Sequence, residues 1–205
     1  MTKLAAFGTW MFRAILFGVT LLFLAIAGAS MRSAAQGAAP WAAEKILPAE
    51  PGRKACFARI YDAKHLRDHP KQKVSSLIFF LRVSGYDASG AYDFQKPDHI
   101  MYQFAIEVKR RNDKRRLRTS GDCLGSEIAQ CVVDCDRGGV DIEKLSSGDG
   151  LAVGLSENGI EMGGDCEGGK GVWIKPGADD KVFDVQPAPL EVCRSLEKTE
   201  LNPWP

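Results

Sequence analysis

IMYQFAIEVK, residues 100–109, alternates without a break. Ile100, Tyr102, Phe104, Ile106 and Val108 fall on one side, and Met101, Gln103, Ala105, Glu107 and Lys109 on the other. A period of two means a β-strand with one face in a core. Upstream, Leu77, Phe79, Leu81 and Val83 alternate with Ser76, Ile78, Phe80 and Arg82. Both sets there are rich in apolar residues, so this strand reads as buried on both faces. LAVGLSENGIEM, residues 151–162, shows two short runs around Asn158-Gly159, a strong hairpin signal. GVWIKPGADDKVFDV, residues 171–185, reads as strand, turn, strand. The 21 glycines supply turns throughout. Roughly eight to ten short strands are expected between Cys56 and Pro187.

Helix is scarce. YDAKHLRDHP is the best candidate: Asp62 is a good N-cap, Ala63 to His69 span about two turns, and Pro70 closes the segment. The expected fold class is therefore mainly β: an antiparallel small barrel or a sandwich, with one short helix near 62–69. CDRGG at 135–139 recurs as CEGGK at 166–170, which suggests two similar hairpin units. A single recurrence does not make a repeat architecture, and two glycine-rich turns beside cysteines fit equally.

The amino-terminal residues 1–35 read as an export signal or a membrane anchor. Lys3 and Arg13 flank the start of an apolar run of about sixteen residues, Ala14 to Ala29. That is shorter than the roughly twenty residues a spanning helix needs. Small residues allow cleavage after Ala29, Ala35 or Ala39. Residues 36–54, rich in Ala, Pro and Gly, read as a linker, 55–195 as one domain, and 196–205 as a loose tail. Removing 1–35 takes away Lys3, Arg13 and Arg32, so the formal charge moves from +1 to −2. The remainder suits one ordinary domain and reads as soluble.

All six cysteines follow the signal-like segment. An even count in that context implies three disulfides and an oxidising, periplasmic or secreted setting. Fifteen pairings exist in principle. The favoured set is Cys56 with Cys193 across the domain, and Cys123 with Cys131 and Cys135 with Cys166 locally. A zinc-thiolate site at Cys131 and Cys135 is the weaker alternative, because the compartment opposes free thiolates.

Three groups of residues are candidates for chemistry. His65 and His69 stand at i and i+4 on the expected helix, a spacing that metal-binding helices use. The zincin pattern wants glutamate directly after the first histidine, and Leu66 is there instead. A third ligand would have to be Asp62, Asp68 or His99. The other reading is an ordinary helix end, with His69 favoured by the helix dipole. Second, Asp134, Asp136, Asp141, Asp149, Glu161, Asp165 and Glu167 lie among the glycines. They are either calcium ligands without EF-hand order, or turn-forming carboxylates.

The third group is a basic run, KRRNDKRRLR, residues 109–118. Lys109, Arg110, Arg111, Lys114, Arg115, Arg116 and Arg118 face one Asp113, a local +6. Asn112-Asp113 reads as a turn, which places the cations at a hairpin tip. Such a tip either binds a polyanion by counterion release or simply keeps a hairpin solvated. Nucleic acid is disfavoured, since no aromatic side chain interleaves the run to stack on bases.

The run Tyr61-Asp62-Ala63, His65-Leu66, His69-Pro70, Gln72 and Val74, with CVVDCDRGG at 131–139, resembles segments of uncharacterised exported proteins of alphaproteobacteria. The resemblance implies a bacterial periplasmic or secreted setting and assigns no activity to any residue. The leading expectation is a non-enzymatic exported β-domain with no required cofactor. It would bind an envelope component, either an anionic lipid or a glycan, or another exported protein. The alternatives are a metal-dependent hydrolase using His65 and His69, and an inhibitor of an extracellular hydrolase. No G-x-S-x-G elbow or nucleotide-cradling glycine loop occurs.

Overall fold

The computed structural model describes residues 41–197, apart from 92, 94, 96, 97, 165 and 168. The expected signal or anchor at 1–35, the start of the linker and residues 198–205 lie outside the described residues.

Among the described residues, nine strands form one antiparallel sheet: β1 (Lys54–Ile60), β2 (Val74–Tyr86), β3 (His99–Arg110), β4 (Arg116–Leu124), β5 (Ala129–Val132), β6 (Gly138–Lys144), β7 (Leu151–Met162), β8 (Val172–Ile174) and β9 (Val182–Pro187). Strands β1 to β6 pair in chain order, β6 pairs with β7, β7 with β9, and β9 with β1. That circuit closes an eight-stranded barrel, with β8 added outside it on β7. The architecture is thus the barrel rather than the sandwich. Closure removes most of the sheet edge that a nine-strand meander would otherwise expose.

The period-two residues fill the interior. Leu77, Phe79, Leu81 and Val83 of β2 meet Tyr102, Phe104, Ile106 and Val108 of β3. Val140, Ile142, Leu151, Val153, Phe183 and Val185 complete the packing from the far wall. The core is occupied by side chains, as the small diameter of an eight-stranded barrel demands.

β2 is buried on both faces, as its composition indicates. Outside the barrel, Phe80 and Ala105 pack beneath Cys193 and Leu196 of the carboxy-terminal segment. This segment consists of a short 3-10 turn, Leu190–Cys193, and one helical turn, α2 (Arg194–Glu197). The Cys56–Cys193 disulfide and a Lys54–Glu197 ion pair fasten it. Leu196 is therefore part of a buried cluster, so the loose tail does not begin at 196. β3 was expected to be half-buried, but Gln103, Ala105 and Glu107 on its outer face are also buried. Polar partners cover two of them: Arg82 and Ser84 donate to Gln103, and Arg116 and Arg118 donate to Glu107.

Residues 41–54 are not a loose linker. Ala42, Ala43 and Leu47 are buried in the main core, and Trp41 packs 6.3 Å from Tyr102 between ring centroids. The Tyr102 hydroxyl donates to the Leu47 carbonyl at 2.8 Å. The small alanines there allow close packing on the barrel core beside Trp41, Ile46 and Leu47.

Asn158-Gly159 does not turn a hairpin. Residues 151–162 form the single strand β7, with Val140 opposite Leu155 and Gly138 opposite Ile160. The residues between are extruded as a bulge, in which Ser156 Oγ donates to the Gly159 carbonyl. Gly159 has φ +82°, the left-handed conformation that a tight hairpin also needs. The register is held because Leu155 and Ile160 both point inward. β8 and β9 are separate strands around a turn, yet each pairs with β7 and not with the other. The two glycine-rich cysteine segments do not form similar hairpins. One is the β5–β6 turn, the other lies between β7 and β8, and Cys135–Cys166 joins them. With Cys56–Cys193 and Cys123–Cys131, it completes the favoured set of three disulfides.

Candidate functional site at the basic end of the barrel

The expected helix is α1 (Ala63–Asp68), and Asp62 caps it by accepting from the His65 backbone N–H at 2.7 Å. That bond holds the Asp62 carboxyl below its ordinary range. α1 lies at the barrel end where β2 starts and the β3–β4 hairpin turns. Behind it, the buried Asp180 accepts from the backbone N–H of Lys73 at 2.6 Å and of Val74 at 3.2 Å. This ties the β8–β9 connection to the start of β2.

The hairpin tip turns at Asn112, which has φ +61°. Asp113 accepts from Arg110 and Arg115, both at 2.9 Å. Bonds from the Arg115 side chain and backbone, then from Arg110, hold the Asp113 carboxyl far below the usual carboxylate range. Arg116 and Arg118 each donate at 2.7 Å to one oxygen of the buried Glu107. Four of the seven cations are thus engaged by two carboxylates. Arg111 is used differently: its guanidinium donates to the carbonyls of Leu66, His69 and Gln72 at 3.0, 3.4 and 3.3 Å. Carbonyls carry no formal charge, so Arg111 keeps its own. Lys109 and Lys114 are exposed, and neither forms an ion pair among the described residues.

The tip therefore docks on the end of α1, and its cations join those of the helix segment. Residues 59–73, 107–118 and 179–184 together hold 13 Lys and Arg against 7 Asp and Glu, a formal +6. The rest of residues 36–205 holds 11 against 19, a formal −8. Sequence showed the hairpin cations but not their junction with Lys64, Arg67, Lys71 and Lys73. No local pattern encodes that Arg111 reaches three carbonyls about forty residues upstream.

The three histidines are not brought together. His65 and His69 stack at 4.1 Å between ring centroids, and Tyr61 stacks on His65 at 4.6 Å. Ring nitrogens are already used: His65 Nε2 bonds Gln72 Oε1 at 3.0 Å, and His69 Nδ1 bonds the His65 carbonyl at 2.9 Å. His99 pairs with Tyr86 at the opposite end of β2, about 40 Å of strand away from Val74. The expected His65, His69 and His99 ligand set is corrected on that ground. Zinc-thiolate ligation is likewise corrected, because Cys131 and Cys135 belong to different disulfides.

The calcium candidates are dispersed. Asp149 pairs with Lys144 at 3.1 Å, and Glu161 accepts from the Gly171 N–H at 2.9 Å. Asp134, Asp136 and Asp141 line the β5–β6 region, and Asp165 lies outside the described residues. Among the described residues no three His, Cys, Asp or Glu gather as a metal-ion cluster, and no helix is long and apolar enough to cross a membrane. Three disulfides are consistent with a periplasmic or extracellular protein. No known protein family, curated protein or solved structure matches this chain.

Proposed function

We propose that this is an exported binding domain that holds an anionic envelope component on the basic end of its barrel. The shared chemistry is phosphate or carboxylate, whether on a lipid headgroup layer or on a glycan. The observation that carries the reading is Arg111. By bonding the carbonyls that end α1, it fixes the hairpin cations and the helix cations in one surface. A preorganised cationic surface binds polyanions with less ordering cost than a free tip would incur. Export is supported by the charged start and apolar run at 1–29 and by three disulfides.

The test is retention of the purified domain on lipopolysaccharide, on anionic vesicles and on a carboxylated polysaccharide over a salt series. Binding should weaken steeply with salt, and each neutralised lysine should lower the slope by about one. Lys109→Gln with Lys114→Gln is the variant of choice, since neither side chain braces the fold. Retention that ignores salt and this double change on all three supports would refute the proposal. The support retained at the highest salt distinguishes headgroup from glycan.

A further inference from the structure

A second feature is formed by β8 and the β7 bulge, on residues other than those of the basic surface. Trp173 on β8 is 38% exposed and is the one aromatic residue among the large exposed apolar side chains of the described residues. It stands beside a shallow groove of about 450 Å³, shared with Asp136, Glu157, Asn158, Lys175 and Pro176. The groove continues over the outer face of β5 and β6 through Asp136 and Asn158, reaching Ser156 and Asp141.

The walls of this groove are held in place. The Trp173 ring lies close over Gly138, where an added Cβ would come within 3.3 Å of it. Asn158 is carried by the β7 bulge. Asp136 and its neighbour Cys135 have φ +56° and +63°, two consecutive non-glycine residues in the left-handed region. Such backbone costs energy and persists only where the surroundings hold it. Here the Cys135–Cys166 disulfide and the Val133 N–H to Gly138 carbonyl bond do so.

We infer that this groove binds an uncharged sugar unit, with the Trp173 ring as platform and Asn158 and Asp136 as hydrogen-bonding groups. A hexose ring has one face of C–H groups and a rim of hydroxyls. The C–H face suits an indole, whose flat apolar surface needs a partner of matching shape. The hydroxyls suit a carboxylate, which only accepts, beside an amide, which both accepts and donates. Asp136 and Glu157 against Lys175 leave the groove with a formal −1, which opposes the polyanions attracted by the basic end. The volume falls within the range of small-ligand sites, about 300–1,000 Å³. This site stands on different residues from the basic end and does not depend on it.

The experiment is titration of the full disulfide-bonded domain with chitotriose, cellotetraose and maltotetraose, followed by calorimetry and tryptophan fluorescence. Saturable binding of at least one is expected. Trp173→Ala should weaken it about tenfold or more, and Trp173→Phe by only a few-fold, because a ring face is kept. Asp136→Asn tolerates the left-handed backbone and should weaken binding about three- to tenfold through loss of the charged acceptor. Lys109→Gln with Lys114→Gln should leave sugar binding unchanged. Absence of saturable binding to all three at millimolar concentration would overturn the inference. So would equal affinity in Trp173→Ala, or a loss confined to the lysine variant.

Discussion

Glu107 and Arg118 face each other across the β3–β4 pair, with Nε and the carboxylate oxygen 2.7 Å apart. Glu107 is 3% exposed, and its other oxygen takes Arg116. Glu107→Gln should destabilise the domain by about 1–3 kcal/mol, less than a fully buried pair would cost because both arginines reach solvent. It also removes one negative charge from the basic end. Denaturant melts should move down, while retention on anionic vesicles rises. A stable variant with unchanged retention would show that Glu107 neither braces the hairpin nor offsets its charge.

Tyr102 is buried, and burial, aided by the charge of Glu44, pushes its phenol up to about 12. The unfolded phenol titrates near 10. Between those values the unfolded chain releases a proton that the folded chain keeps, so stability falls as pH rises through about 10 to 12 and is unaffected below. The contribution is about 2–3 kcal/mol over that window. Tyr102→Phe should cost about 1 kcal/mol at neutral pH for the lost bond to Leu47. It should also flatten the alkaline limb in parallel urea melts; an identical alkaline slope in both proteins would exclude this origin.

Two glycines of β7 should respond with opposite signs. An added Cβ at Gly154 would meet nothing closer than 3.8 Å, and its backbone is ordinary. Gly154→Ala should therefore stabilise by about 0.5–1 kcal/mol. At Gly159 the φ is +82° and a Cβ would come within 2.2 Å of the Ile174 carbonyl oxygen. Gly159→Ala should destabilise by more than the gain at Gly154, and thermal melts of the two single variants would reveal the split.

The three disulfides close loops of different lengths, with separations of 137, 31 and 8 residues. Loop-closure entropy ranks their contributions at about 5, 4 and 2.5 kcal/mol. Paired Cys→Ala variants should follow that order. The Cys56–Cys193 variant should also admit a dye that binds apolar surface, because its outer segment covers Phe80 and Ala105. Full protection of that face without the bond would mean that packing alone holds the segment.

Alternation along residues 76–83 and 100–109 was enough to indicate β2 and β3, and in β3 it also picked out the inward residues, since a pleated strand turns every second side chain to one face. In β2, apolar on both faces, only the structure separates inside from outside. The signals for α1 were local too: a capping aspartate, a closing proline and little else. Cysteine parity and spacing led to the three disulfides. What the chain does not carry locally is closure. Whether strands curl into a barrel depends on β9 returning between β1 and β7, pairings of more than 120 residues in one case. The same holds for Trp41 to Leu47, whose alanine-rich composition suits a linker or a tight plug until Tyr102 is known to lie against it. Asn158-Gly159 supplies a left-handed residue, and only the alignment of Leu155 and Ile160 with the core makes it a bulge. The meeting of Arg111 with α1, the separation of His99 from His65, and the groove beside Trp173 are likewise products of tertiary structure. Each depends on distances between segments far apart in the chain, and those distances are set by packing.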